Sequence, residues 1–383
     1  MLTPSSLSAL ARRAARDAGF ELSGVAPVGG DAGEGALREL AYFPEWIASG
    51  RAGEMEYLKA RDEHGRLKRA AVRHAAPWAR SVVVCALNYN TGQPYSTERS
   101  DPARGWISRY AWGCGKTSGI EPPADYHRIL LTRLEQVESE LRRVVEKAGV
   151  ASLQTRCYVD TGPIVERVYA KYAGVGWIGK NTCVINQQLG SWLFLGVILT
   201  SLELTPDLPA PDRCGSCTRC IDACPTAAIP EPYQLDATRC ISYLTIEKRG
   251  SIPEGLRAGM GRHIFGCDIC QDVCPWNAPK GVKVPATPLP QFQPRPELVN
   301  PSLDWLASLS VEDFRSTFRG SAIRRTKYAG LRRNMAIAMG NSGDSRFRPH
   351  LEAMADDPDP VVAEHAQWAL ARVPQRPRPP RSV

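Results

Sequence analysis

Eight of the twelve cysteines in this 383-residue chain fall between Cys214 and Cys274, at spacings suited to metal chemistry. The segment opens with Cys214-Gly-Ser-Cys217-Thr-Arg-Cys220-Ile-Asp-Ala-Cys224-Pro225. It continues through Cys240 and ends with Cys267-Asp-Ile-Cys270-Gln-Asp-Val-Cys274-Pro275. The first four thiols follow the C-x2-C-x2-C-x3-C-P run of bacterial ferredoxins, in which the fourth cysteine serves the other of two clusters. On that geometry Cys214, Cys217, Cys220 and Cys274 ligate one [4Fe–4S] cubane. Cys224, Cys240, Cys267 and Cys270 ligate the second, with Cys240 replacing the first thiol of a regular run. Structural zinc and disulfides are the competing readings. Zinc sites commonly use two isolated C-x2-C pairs, without a third thiol or a trailing Cys-Pro. Two neighbouring cubanes imply electron relay, so another part of the chain must receive the electrons.

Asp160 is the main candidate there. In Tyr158-Val-Asp160-Thr-Gly-Pro163-Ile-Val-Glu166-Arg167 it ends a predicted strand just before a helix, a favoured position for site residues in α/β sheets. Pro163 as the first helical residue would make Gly162 the N-cap, so Asp160 lies two positions too early for an ordinary cap. A turn residue and a functional acid are both open readings. Gly174-Val-Gly176-Trp177-Ile-Gly179-Lys180-Asn181-Thr182 is glycine-rich but matches neither the Walker nor the Rossmann spacing. It is either a simple turn or a backbone cradle for a large planar or phosphate-bearing ligand. His127, at a helix start, reads as structural before it reads as a metal ligand. Arg315, Arg319, Arg324, Arg325, Lys327, Arg332 and Arg333 form a run that no acidic residue interrupts, with Phe318 and Tyr328 interleaved. Such a run is either a solvated face or a nucleic-acid contact.

These residues need elements to hold them. Residues 1–80 read as helical, with a strand at Leu22 to Ala26. Ser81 to Leu87 is a continuous apolar run, hence a buried strand, with Cys85 as a small core side chain. Apolar residues at 130, 134, 137, 141 and 144 predict a helix from Tyr126 to Lys147. Gln154 to Val159 and Trp192 to Leu199 read as further strands, giving an α/β domain over 1–205. Proline-rich seams at Thr205 to Pro211 and Val284 to Pro301 bound a ferredoxin-like domain over 206–285. Beyond them, Leu331 to Gly340, Pro349 to Met354 and Val361 to Arg372 read as helices of a short HEAT-like module over 286–373. A disordered basic tail follows at 374–383. The whole is a multidomain chain of the α+β or α/β class.

A hydrophobic content of 43% allows a sizeable core, and the formal charge of +8 is compatible with a polyanionic partner. Cysteines in cluster spacing point to a reducing compartment, and the cytoplasm is expected. The N-terminal Arg12-Arg13 stretch reads as an amphipathic helix, neither a Sec nor a twin-arginine signal. No apolar run is long enough to cross a bilayer, so no membrane partner is expected.

The chain resembles the epoxyqueuosine reductases over nearly its whole length. The resemblance is carried by VDTGPIVERVYA at 159–170, GWIGKNT at 176–182 and GSWLFLGVILT at 190–200. It extends through CGSCTRCIDACPTAAI from Cys214, CISYLTIE from Cys240 and IFGCDICQDVCPWN at 264–277. It implies a base-off cobalamin in the N-terminal domain, fed by two [4Fe–4S] clusters and an external one-electron donor. The substrate would be epoxyqueuosine at the wobble position of tRNA, held partly by the HEAT-like module. Asp160 matches the family's proton donor, which requires a carboxyl whose pKa is raised. Arg69, Ser108, Asn181 and Val184, with Asp160 itself, match its cobalamin contacts. Lys248, Arg249, Arg324, Arg325, Arg332 and Arg333 match the tRNA face. The stretch Cys114 to Ala124 departs from the family pattern, which runs directly from YAWG into DYH. A reductive dehalogenase and a non-catalytic electron-transfer scaffold are the alternatives; a monomer is expected.

Overall fold

The computed structural model describes residues 2–29, 37–98, 101–113, 125–149 and 152–375. The Cys114–Ala124 stretch and most of the basic tail lie outside the described residues.

The run at Ser81 has no polar side because both of its faces are covered. Every residue of the strand Ser81–Asn88 is buried. Val83, Cys85 and Leu87 enter one core with Ala11, Leu130 and Leu134 from the helices Pro4–Asp17 and Tyr126–Lys147. Val82, Val84 and Ala86 enter another with Val168, Tyr169 and Ala170 of the helix Glu166–Tyr172. The sheet runs in the order Leu22–Pro27, Ser81–Asn88, Leu193–Thr200, Thr155–Tyr158. All three pairings are antiparallel. The alternation of strands and helices therefore does not mean a parallel sheet here. A central strand reads as continuously apolar whenever helices cover both faces, whatever the strand direction.

The long helix Tyr126–Lys147 forms as its periodicity predicts, with Leu130, Leu134, Val137, Leu141 and Val145 inward. The last inward position is Val145 rather than Val144. The Asp125 carboxylate caps the helix, accepting a hydrogen bond from the His127 N–H at 3.1 Å. Helical structure in the first 80 residues is sparser than expected. Among the described residues there, beyond Pro4–Asp17 and Tyr42–Ala48, there is one four-residue helix, Val72–Ala75, and short 3₁₀ turns. The helix after Asp160 begins at Glu166, not Pro163. The residues between make a tight turn: the Thr161 N–H donates to the Val159 carbonyl at 2.6 Å, and Asp160 adopts φ +58. The carbonyl of Ile164 accepts from Arg69 Nη1 at 2.9 Å, which holds that turn away from the helix.

The cysteine-rich segment joins the rest through a short parallel pairing of Trp106–Ile107 with His263–Phe265. Ile107, Ala111 and Trp112 share a core with Phe265 and with the C-terminal helices Lys327–Ser342, Arg348–Ala355 and Pro360–Leu370. A chain segment from the N-terminal half is thus built into the C-terminal core.

One expectation fails at this joint. Arg333 is 1% exposed, and its guanidinium donates to the carbonyls of Leu244, Lys248 and Gly250 at 2.7–2.9 Å and to Asn334 Oδ1. Burial lowers its pKa to about 10, with the Arg249 charge adding to the effect. It cannot reach a phosphate; it ties the last helices to the cysteine-rich segment. Arg333→Met would strand those acceptors in the interior. The expected cost is about 3 kcal/mol, read as a lower Tm in thermal unfolding of the cluster-loaded protein.

Candidate active site

A cavity of about 1610 Å³ opens between the sheet, the start of the long helix, the Asp160 turn and the cysteine-rich segment. Its apolar wall includes Tyr110, Tyr126, Ile164, Val165, Leu193, Phe194 and Leu195. Tyr126 stacks on Phe194, centroids 4.3 Å apart and planes 2° from parallel. It also stacks on His127 at 4.0 Å.

Asp160 lies on this wall with its side chain 58% exposed, so it meets whatever fills the cavity. Its left-handed backbone, tolerated by aspartate better than by most residues, turns the carboxylate toward the start of the long helix. There Oδ2 accepts from Tyr126 Oη at 3.1 Å and stands 3.8 Å from His127 Nε2. That separation is an ion pair and too long for a direct hydrogen bond. Enclosure pushes the Asp160 pKa up, but His127, Tyr126 and the Arg167 charge outweigh it and hold the group at about 2. Burial works against the charged form of His127, yet Asp125 and Asp160 raise its pKa to about 9. A raised carboxyl at Asp160 was the expectation from its proposed role; the structure has the opposite arrangement, a carboxylate beside an imidazolium.

The raised carboxyl is Glu166. Burial is the main cause, with the Asp160 charge adding, and together they bring it to about 7 against the pull of Arg69 and Arg167. Its Oε1 is fully buried without a partner.

The two sets of cysteines differ in their relation to the cavity. All of Cys224, Cys240, Cys267 and Cys270 line the cavity, and none of Cys214, Cys217, Cys220 and Cys274 does. Burial raises Cys220 to about 11, and Cys214 and Cys217 also oppose its ionisation. Cys274 is raised to about 12 by burial, with Cys214 and Cys220 contributing. Cys267 is raised by burial and by Cys240, with Cys224 also contributing. Thiols that resist one another's ionisation lie close together, and a bound metal reverses that penalty. Cys183, which motif reading passes over, lies against Cys270 and raises it. Lys180, only 9% exposed, donates to the carbonyls of Gly215 at 2.6 Å and Cys217 at 3.0 Å.

Of the remaining positions singled out in the sequence, Arg69, Ser108 and Asn181 line the cavity, whereas Val184 is not in its lining. Val184 is 5% exposed and packs into the core beneath the sheet. Arg69 keeps an unpartnered Nε. Arg69 and Arg325 both lie over the Tyr57 ring, at 5.8 and 5.4 Å. Arg324 and Arg325 reach the cavity; Lys248, Arg249 and Arg332 do not. Lys248 pairs with Glu54, and Arg332 with Asp357 at 2.9 Å. Glu166 lies inside the 159–170 stretch and His127 inside DYH, but nothing in their spacing marks a role in proton transfer; their position beside Asp160 does.

Residues 213–277 match a 4Fe-4S double cluster binding domain. Residues 69–161 match the family described as epoxyqueuosine reductase QueG, DUF1730. An epoxyqueuosine reductase of Xanthomonas campestris pv. campestris is 38% identical over 374 residues, covering 96% of this chain and 97% of that one. A crystal structure of epoxyqueuosine reductase with an epoxyqueuosine-modified tRNA-Tyr stem loop aligns with TM-score 0.79 and 30% identity, over 97% of this chain and 91% of its own. A Bacillus subtilis epoxyqueuosine reductase, solved with its aspartate catalytic loop swung out of the active site, aligns at TM-score 0.78 and 30% identity with the same coverage. With a cavity that carries both an acid turn and a cysteine quartet, and with likeness along almost the entire sequence, the chain belongs to the epoxyqueuosine reductase family.

Proposed function

We propose that this chain reduces epoxyqueuosine to queuosine at the wobble position of tRNA, using cobalamin held in the cavity and electrons relayed through two [4Fe–4S] clusters. One observation carries the reading: a single cavity touches the Asp160 turn, all four thiols of the second quartet, and Arg324 and Arg325. Electron supply, proton supply and polyanion contact meet there.

The residues present fit cobalamin. The corrin is a large flat ring fringed with amides, and the cavity offers aromatic and aliphatic walls plus buried polar atoms without partners. Those atoms include Arg69 Nε and Trp177 Nε1. Arg69, Ser108, Asn181 and Asp160 would hold it; Val184, away from the lining, would contribute through packing alone. When bound, the cofactor supplies the metal chemistry that couples single electrons to a two-electron reduction at carbon. The protein supplies position, exclusion of water and protons.

Cys214, Cys217, Cys220 and Cys274 would hold the cluster that meets an external one-electron donor. The loop around the first three is exposed between the thiols. The quartet Cys224, Cys240, Cys267 and Cys270, on the cavity wall, would hold the cluster that passes electrons on. His127 would charge Asp160 with a proton and orient it, and Tyr126 would fix its rotamer, so that Asp160 can deliver the proton to the oxygen that leaves. The aspartate catalytic loop of the Bacillus subtilis relative supports an acid at this turn.

Arg324 and Arg325 at the cavity, the latter paired with Glu247 at 2.6 Å, would neutralise tRNA phosphates together with the exposed Arg249 and the paired Lys248 and Arg332; a HEAT-like helical module would carry Arg324, Arg325 and Arg332, and the cysteine-rich segment Lys248 and Arg249. Among the described residues no helix is long and apolar enough to cross a membrane. A tRNA substrate would place the protein in the cytoplasm.

Asp160→Asn keeps size and a hydrogen-bonding end but removes the acid. It should retain cobalamin, clusters and tRNA while turnover falls about 10²- to 10⁴-fold. Anaerobic incubation of the reduced protein with an epoxyqueuosine-bearing anticodon stem-loop, followed by nucleoside mass spectrometry, checks this; an unchanged rate removes Asp160 from the role. Separately, Cys217→Ser and Cys267→Ser should each lower bound iron from about eight atoms per chain to about four. Electron paramagnetic resonance of the two variants should then show different surviving clusters. Identical spectra would mean that the quartets are wrongly divided.

A further inference from the structure

The proposed reduction has a proton requirement that one acid does not meet. Converting an epoxide to an alkene breaks both C–O bonds, forms the C=C bond, consumes two electrons and releases the oxygen as water. The oxygen must therefore collect two protons. The electrons arrive singly from the one-electron donor through the clusters, and the protons must come from the cavity wall. We propose that Glu166 is the second proton store of this site, passing its proton to Asp160 so that the departing oxygen leaves as water. The proposal rests on the epoxide reading above and adds a residue to it.

The geometry supports this in three ways. Glu166 lines the same cavity as Asp160, on the helix Glu166–Tyr172 that the Asp160 turn leads into. Its Oε1 is sealed from solvent with no donor to satisfy it, a costly arrangement for a carboxylate and a tolerable one for a neutral acid. Asp160, by contrast, is held charged by His127 and Tyr126 and does not keep a proton at rest, so a proton from Glu166 crosses it only in concert with delivery to the far more basic oxygen that leaves.

The groups that face Glu166 set its charge. Asp160 from the preceding turn disfavours the carboxylate, while Arg69 from the turn Lys68–Ala70 and Arg167 from its own helix favour it. The strands packed against this helix include Leu22–Pro27, Ser81–Asn88 and Leu193–Thr200, and they bring no acidic or basic side chain. Burial and Asp160 win, leaving the group at about 7. A ligand that displaces water from the cavity dries Glu166 further and favours its protonated form. Two carboxyls with opposite environments then divide the work, one storing and one delivering.

Two measurements on the full chain test this. Infrared difference spectra of the protein across a pH titration should show a carboxylic C=O band that disappears as pH rises through about 7 and is missing in Glu166→Gln. In single-turnover assays with the loaded, reduced protein and the modified stem-loop, Glu166→Gln should form queuosine roughly 10²-fold more slowly. Glu166→Asp should recover part of the rate. The wild-type rate should fall above neutral pH as Glu166 loses its proton, and Glu166→Gln should lack that limb. An active wild type beside an equally active Glu166→Gln with the same pH profile overturns the role of Glu166, as does a titrating band that persists in the variant. A wild-type protein that leaves the stem-loop unchanged overturns the substrate reading, and the second proton store with it.

Discussion

Everything at this site depends on how closely the Cys267–Cys270 loop is held to the cavity wall. Asp268, between those two cysteines, is buried. Its carboxylate accepts from Ser108 Oγ at 2.5 Å and from the Arg109 N–H at 2.6 Å. Ser108 in turn donates its N–H to the Phe265 carbonyl at 2.7 Å. Gly266 has φ +70, and a Cβ there would stand 2.4 Å from the Ser108 Cβ. Only glycine permits so close an approach in that conformation. These bonds join the cysteine segment to Ser108 and Arg109, and the next residue, Tyr110, meets the Tyr126 ring edge-on at 5.8 Å, which links the second quartet's loop to the wall that carries Asp160 and His127. Arg109 braces this link from behind. It is 3% exposed and lies over the rings of Tyr95, Trp112 and Trp192 at 4.8–5.3 Å.

Along that wall the charges are arranged by neighbours more than by residue type. Asp160 and Glu166 are both carboxyls on one cavity wall, yet their pKa values lie near 2 and near 7. The difference comes from what each faces. Asp160 has an imidazolium and a phenol within reach, whereas Glu166 has an unsatisfied oxygen and the negative charge of Asp160. Asp160 is not a lone raised acid: its neighbours hold it charged, while His127 and Glu166 are both shifted toward their protonated forms. Tyr126 links the two halves of this arrangement: its hydroxyl fixes Asp160 while its ring, stacked on Phe194, forms part of the apolar wall.

The sequence is most legible where function is local. Cluster binding is written in short spacings, so the double-cluster segment could be read directly. The amphipathic period of Tyr126–Lys147 and the uninterrupted apolar run at Ser81 also show through. Long-range facts are less legible. Strand direction depends on connections that periodicity does not encode, and so the antiparallel order of the sheet was invisible. The basic run from Arg315 to Arg333 looks uniform as text. Folding it into a 3₁₀ turn and a helix sends Arg324 and Arg325 to the cavity, Arg332 to Asp357 and Arg333 into the interior. Proton affinities are the least legible of all, because Glu166 acquires its own from burial and from Asp160 across a turn, and His127 from its neighbour Asp125 as well as from Asp160.

The glycine-rich stretch from Gly174 to Thr182 shows how one short segment can serve two centres. It was open between a simple turn and a cradle for a phosphate or a planar ligand. In the fold, Trp177 packs with Cys214, Cys274 and Trp276, and Lys180 grips the Gly215 and Cys217 carbonyls. One residue later, Asn181 Nδ2 donates to the Cys270 carbonyl at 3.3 Å. The Thr182 carbonyl accepts from Arg167 Nη1 at 3.1 Å, beside Glu166. Trp177 and Lys180 thus address the first quartet, Asn181 the second, and Thr182 the helix that bears the raised acid. Glycines are needed there because the backbone runs close to its neighbours: a Cβ at Gly176 would stand 2.4 Å from the Ile185 carbonyl oxygen. The buried Lys180 side chain against the first quartet's loop would also place positive charge beside a cluster held there, one of the levers that sets its reduction potential. The contacts this stretch makes within the protein thus set the spacing between the two cysteine quartets and the wall that carries Glu166.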